Sequence, residues 1–340
     1  MIRVEYRDKT ALKKAYLKKF KRGLLQKGLD VCISEYPELA TILSAGCKAD
    51  DLLIMEFDGL VDVYFGYQGL RSTMGKEDFA DMDAFLKSTF NYKTRQSNIA
   101  SFFMNSTNAF QIHTCHYCDT SYINVFKREE DGQVMNHFDL DHVLDWSECP
   151  LVALSLFNFT PSCQVCNEKL KRTDLLGDTA TQVKKLSPTS STYDFEHNVR
   201  ICVDPEDKVV DNYMANADLF TIDFKTQNGK DKDYMKVVDL FCLRERYTYH
   251  KSEALRLLDL KHNYDDSNIE NIAELLGKRP EEVRASPGKT RISGLHPMLP
   301  RGVRPSLEGK QRTPLSSRVA TLISWCPLSG LKGVQPPLHF

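Results

Sequence analysis

Two Cys-x-x-Cys pairs, Cys115/Cys118 and Cys163/Cys166, stand 44 residues apart. Each pair puts two thiolates on one tight turn, and two such turns complete a tetrahedral four-sulfur site. In a reducing compartment this spacing points to a metal rather than to disulfides. The other six cysteines, Cys32, Cys47, Cys149, Cys202, Cys242 and Cys326, are scattered and read as small apolar residues. His113 and His116 lie close enough in sequence to substitute as ligands, but four cysteines suffice. A closed four-cysteine site has no open position for water, so its zinc is structural and not the catalyst. The intervening segment must fold into something that returns to the ion, and this fixes the centre of the chain before any other element is assigned.

The rest of the composition sets looser bounds. At 340 residues the chain has room for two or three domains. Hydrophobic residues make up 41%, charged residues 27%, and net charge is -1, which excludes a collagen-like chain, a disulfide-dense mini-scaffold and an acidic disordered protein. No apolar run approaches the ~20 residues that span a bilayer, and the N-terminus shows no segment of signal-peptide type. The expected setting is cytoplasmic, with no membrane partner. The near-zero charge hides an asymmetry: residues 285–340 carry eight Lys and Arg against Glu308 alone, leaving the remainder acidic. Overall charge therefore argues neither for nor against a nucleic-acid partner.

Four regions are expected. Residues 1–109 read as mainly helical. A helix over 8–28 follows from Leu12, Tyr16, Phe20 and Leu24 at four-residue spacing with lysines between them. Residues 35–100 read as short helices and loops, with Tyr64-Phe65-Gly66-Tyr67-Gln68-Gly69 as a turn. Residues 110–185 hold the chemistry. Residues 186–284 read as mixed and mainly helical: Val199, Ile201, Val203 and Phe220, Ile222, Phe224 alternate as strands, helices follow over 233–260 and 266–276, and Gly277 is a helix stop. Composition breaks near 285. The last 56 residues hold 8 of the 14 prolines, which reads as a disordered or non-native tail.

Between the cysteine pairs lies His137-Phe138-Asp139-Leu140-Asp141-His142-Val143-Leu144, whose alternation suits a strand with Asp139 and Asp141 on one face. An apolar stretch, Leu151 to Leu156, leads through Phe157-Asn158-Phe159-Thr160-Pro161-Ser162 into the second pair. Asn167 follows Cys166 directly, and Glu168-Lys169-Leu170-Lys171-Arg172 reads as the start of a helix. Over about residues 112–175 this ordered set resembles the HNH endonucleases, the ββα-metal nucleases, in the zinc-stapled form of the phage endonuclease VII type. The third position is Asn167 rather than His, as in His-Asn-Asn variants. A carbonyl oxygen can replace an imidazole as a ligand for a hard cation.

The resemblance implies an α+β fold with a ββα-metal core stapled by a four-cysteine zinc site, flanked by mainly helical regions. It implies that His142 is the general base, that Asp141 and Asn167 hold Mg²⁺ or Mn²⁺ on the scissile phosphate, and that Asn158 orients His142 through a hydrogen bond. Lys169, Lys171 and Arg172 would bind flanking phosphates of DNA. Asp139 is a supporting residue or an alternative ligand. His137 has no such support and reads as a surface or supporting residue. In a regular strand Asp141 and His142 point to opposite faces, so one site can use both only if the strand twists or ends there. The longer chain also resembles the HNH subunits of Septu-type and retron-associated anti-phage systems, which work with an SMC-like ATPase. That resemblance is carried by Tyr117-Cys118-Asp119 with Tyr122-Ile123-Asn124, Ser187-Pro188 and the helix containing Arg246-Tyr247. The competing readings are a restriction-like or mobile-element nuclease, and a zinc-stapled nucleic-acid-binding module without cleavage.

Overall fold

The computed structural model describes residues 1–105, 107–110, 112–205, 217–226, 231–256, 266–277 and 279. The basic, proline-rich tail from 285 lies outside the described residues. Within them the protein is mixed helix and small antiparallel sheets, consistent with α+β. The chain divides into two compact units, Met1–Asn198 with Lys230–Leu243, and Val199–Gly229 with Arg244–Phe340. The expected boundaries at 109/110 and 185/186 do not separate compact units, because the N-terminal helices share a core with the cysteine-bearing segment.

In the first unit, helices α1 (Lys9–Leu17), α2 (Arg22–Glu35), α3 (Ala49–Ile54), α4 (Phe57–Thr73), α5 (Lys76–Thr89) and α6 (Gln96–Asn105) precede the first Cys-x-x-Cys pair. The single helix expected over 8–28 is two. Asp8 caps α1 by accepting the Ala11 amide at 2.9 Å, and the chain breaks at Lys18–Lys21. The apolar stripe slips by one residue across this break. Leu25, Leu29 and Cys32 are buried, and Leu24 is exposed. The turn expected at 64–69 is helical instead, lying within α4. Gly66 is there for contact rather than for bending: a Cβ at that position would come within 3.0 Å of the Ile42 side chain. Tyr16 and Ser155 join this helical layer to the segment before the second cysteine pair. The Tyr16 hydroxyl donates to Leu154 O at 2.8 Å, and Ser155 donates to Leu52 O at 2.7 Å.

Two hairpins follow. Strand β1 (Val125–Lys127) pairs with β2 (Val134–Asn136), and β3 (Asp139–His142) pairs with β4 (Phe159–Ser162), both antiparallel. Every residue of β4 is buried. Its register sets Asp139 opposite Ser162, Asp141 opposite Thr160 and His142 opposite Phe159. A wide helical segment of π type, Val165–Lys171, begins inside the second cysteine pair. The helix expected to start at Glu168 therefore ends at Lys171, where Arg172 takes a left-handed φ of 53°.

The second unit holds β5 (Val199–Pro205) paired antiparallel with β6 (Phe220–Thr226), as the alternation of Val199, Ile201, Val203 and Phe220, Ile222, Phe224 requires. Tyr247 packs edge-on against Phe224 at 5.1 Å. The helix expected over 233–260 is broken. Its first part, Lys232–Leu240, belongs to the first unit; after Cys242 at φ 48° a second helix runs over Leu243–Thr248, and residues 257–260 lie outside the described residues. A helix over Asp266–Leu276 buries Ile269 and Ala273, and Gly277 closes it at φ 60°. Among the described residues no helix is long and apolar enough to cross a membrane.

Candidate functional site

The four cysteines come together. Their sulfurs lie within 4.8 Å of one another in a buried group. Four sulfurs at ~2.3 Å from a zinc ion would be about 3.8 Å apart, so the cluster fits a tetrahedral metal. The local backbone explains the convergence. The Asp119 amide donates to Cys115 O at 2.8 Å with Asp119 at φ 55°, which closes the first knuckle, and Thr114 Oγ1 donates to the Asp119 carboxylate at 2.6 Å. The Asn167 amide donates to Cys163 O at 3.0 Å and closes the second. The His116 amide reaches Pro161 O at 3.3 Å, which ties the first knuckle to β4. The closeness of the four sulfurs pushes their thiol pKa values apart: burial pushes Cys115 up and bonding to the other three sulfurs pushes Cys166 up, while bonding to Cys115 pulls Cys118 and Cys163 down. A bound cation would displace the thiol protons and stabilise the fold. The donor set fits zinc.

Beside this cluster β3 points its side chains two ways. Asp141 is buried. It accepts from the Tyr117 hydroxyl at 2.5 Å and from Lys171 Nζ at 3.2 Å, and the Lys171 ammonium also donates to His142 O at 2.9 Å. Burial pushes the Asp141 carboxyl up, opposed by Lys171 and Tyr117. The sequence placed Lys171 with Lys169 and Arg172 as a contact for DNA phosphates. This placement is corrected for Lys171, whose side chain is 1% exposed and engaged inside, while Lys169 and Arg172 are exposed. Tyr117, between the first two cysteines, was not expected at the site. Its ring stacks on Phe241 at 4.7 Å, which holds the hydroxyl on Asp141.

His142 lies at the end of β3, partly exposed, with its ring 4.4 Å from Tyr92 and 4.6 Å from Phe159. Its Nε2 is 2.9 Å from Ala153 O. A carbonyl can only accept, so Nε2 carries the proton and Nδ1 holds the lone pair. Burial keeps the imidazole neutral, pushing its pKa down to about 4 against the opposing pull of the Ala153 carbonyl. Asn158 does not bond His142, as the sequence reading expected. Its side chain accepts from Leu144 N at 2.8 Å and donates to Leu144 O at 3.0 Å and Val152 O at 3.1 Å. It staples the loop whose Ala153 carbonyl fixes His142, and so acts on the imidazole at one remove.

Asn167, half-buried, has its side-chain amide 3.4 Å from the Asp139 carboxylate. Burial raises the Asp139 carboxyl, with the Asn167 amide lowering it, and Asp139 in turn helps raise the Tyr92 phenol to about 12, after burial. His137 is exposed. No family model, curated protein or solved structure matches this chain.

Proposed function

We propose that this protein is a metal-dependent endonuclease of HNH type that hydrolyses DNA phosphodiester bonds, with a structural zinc and a catalytic Mg²⁺ or Mn²⁺. One observation carries the reading. Strand β3 ends in a histidine whose Nε2 is committed to a backbone carbonyl, and the returning strand runs directly into the second cysteine pair, whose following residue Asn167 brings its side-chain amide beside the Asp139 carboxylate. That order supports the ββα-metal reading.

The donors fit a hard cation: a β3 carboxylate and the Asn167 amide are oxygen ligands at a partly exposed position, and so few protein ligands leave room for water and phosphate oxygens, as Mg²⁺ prefers. Bound there, the ion would neutralise the phosphate and stabilise the leaving oxygen. His142 takes the proton of the attacking water at Nδ1, while Ala153 O holds Nε2–H and keeps the ring in place. A phosphodiester is anionic, and the exposed Lys169 and Arg172 would engage flanking phosphates. The wider resemblance supports a role in bacterial anti-phage defence with an SMC-like ATPase partner.

A second reading, a zinc-stapled nucleic-acid-binding module without cleavage, is favoured by the Asp141–Lys171 pair, which is how a purely structural core would neutralise a buried acid. A plasmid-nicking assay with and without Mg²⁺ or Mn²⁺ separates the two. Metal-dependent nicking supports the nuclease. DNA retention without nicking supports the binder.

A further inference from the structure

β3 carries two carboxylates that look equivalent in sequence and are not equivalent in the fold. The Asp141 side chain is 3% exposed, and both of its oxygens are engaged, Oδ1 by Lys171 and Oδ2 by Lys171 and Tyr117. The Lys171 ammonium stands where a cation ligated by Asp141 would stand, and it also holds the carbonyl of the next residue. A second positive charge cannot reach Asp141 without expelling a buried lysine. Asp139 is the opposite case. It is partly exposed, and among the described residues its carboxylate accepts one hydrogen bond, from the Asn167 side-chain amide.

We propose that Asp139, not Asp141, shares the divalent cation with Asn167, and that Asp141 is a positioning residue, anchored by Lys171 and Tyr117, that fixes the strand between them. The geometry supports it. The 3.4 Å contact runs between Asp139 Oδ2 and the Asn167 nitrogen as assigned, and an amide oxygen and nitrogen exchange places by a simple flip. Two oxygens in adjacent positions on an octahedral Mg²⁺ at ~2.1 Å lie about 3 Å apart. A flip and a small approach would therefore convert the present contact into a pair of ligands, with no backbone change. Asn167 is held for this by Cys163 O and the adjacent Cys166, and Asp139 by its pairing with Ser162, the residue before Cys163. The proposal rests on the nuclease reading for its choice of cation, but concerns which side chains hold it.

The test is Mn²⁺ binding, read by the loss of the free-ion electron paramagnetic resonance signal on titrating the full-length, zinc-loaded protein. Asp139→Asn should weaken Mn²⁺ binding by at least about tenfold, the lower end of what even a residue supporting a metal ligand contributes, with zinc content and melting temperature unchanged. Asp141→Asn leaves Lys171 buried and unpaired and can fail to fold, so the decisive partner is Asp141→Asn/Lys171→Met, which removes both charges and should bind Mn²⁺ like the wild type. Wild-type binding in Asp139→Asn, loss of binding in the folded double variant, or no Mn²⁺ binding by the wild type would each overturn the assignment. Binding through Asp139 in a protein that leaves plasmid intact would defeat the nuclease reading and keep the assignment. Metal-dependent nicking with undiminished binding in Asp139→Asn would do the reverse.

Discussion

Replacing Lys171 with Met tests the ion pair at the centre of the molecule. The Lys171 and Asp141 side chains are 1% and 3% exposed and 3.1 Å apart, so neither charge is screened by water. Met occupies much the same volume as the lysine stem, so the change isolates the charge. Removing one partner of a buried pair costs roughly 3–5 kcal/mol, because the other charge is left uncompensated. The unit containing the pair falls in the size class where 1 kcal/mol moves the melting temperature by about 2–4 °C. Lys171→Met should therefore melt about 6–20 °C below wild type in differential scanning calorimetry. The sign of the pH dependence follows from Asp141. Burial already holds its carboxyl above the usual range, and losing Lys171 removes the largest opposing influence, so the variant's carboxyl rises further. A carboxyl with a raised folded-state pKa binds more protons folded than unfolded, so its folded state gains as pH falls through that window and loses as pH rises. The gap between variant and wild type should narrow as pH is lowered. Adding Asp141→Asn should recover much of the loss, because no buried charge then remains. A Lys171→Met protein that melts with the wild type at neutral pH would refute the reasoning.

Three further outcomes follow from the site. His142→Ala should lower plasmid cleavage by ~10²–10⁴-fold, the usual worth of a general acid or base, with zinc content unchanged; full activity in the purified variant would remove His142 from the chemistry. Cys115→Ser or Cys163→Ser should leave the protein short of zinc and poorly folded, since structural zinc contributes roughly 10–16 kcal/mol of apparent binding energy in small zinc modules; metal analysis finding no zinc in well-folded wild type would contradict this. Asn158→Ala orphans the amide and carbonyl of Leu144 at about 1–3 kcal/mol each, while the Val152 carbonyl keeps the Ser155 amide, so it should lower both melting temperature and activity, and an unchanged melting temperature would show the loop does not depend on it.

What the sequence disclosed and what it concealed divide along physical lines. The cysteine cluster was legible because metal ligation fixes both residue type and spacing. The β5–β6 hairpin was legible because period-two alternation of large apolar residues has few other readings. Lys171 was not legible, because Lys169, Lys171 and Arg172 differ only in where the π-type segment turns them, and only the fold shows which one meets Asp141. Asn158 was recognised as important but misassigned in its bonds: an amide satisfied by one loop's backbone carries no mark of that loop in its neighbours. The break between α1 and α2 was missed because lysines serve equally well on a helix face and in a loop. Gly66 reads as a bend until the Ile42 side chain is seen against it.

The two knuckles do different work on one strand. The first places Tyr117, whose hydroxyl fixes Asp141, and the second places Asn167, whose amide meets Asp139. β4 joins these effects, since Pro161 accepts from the first knuckle and Ser162 leads into the second while both pair with β3. A single ion held by the four cysteines would therefore help set the positions of both carboxylates without touching either. The same separation along β3 would keep the proposed cation site chemically apart from the four-cysteine cluster: sulfur donors would hold a metal at the cluster, oxygen donors at Asp139 and Asn167, and the Lys171 ammonium already engages the buried Asp141.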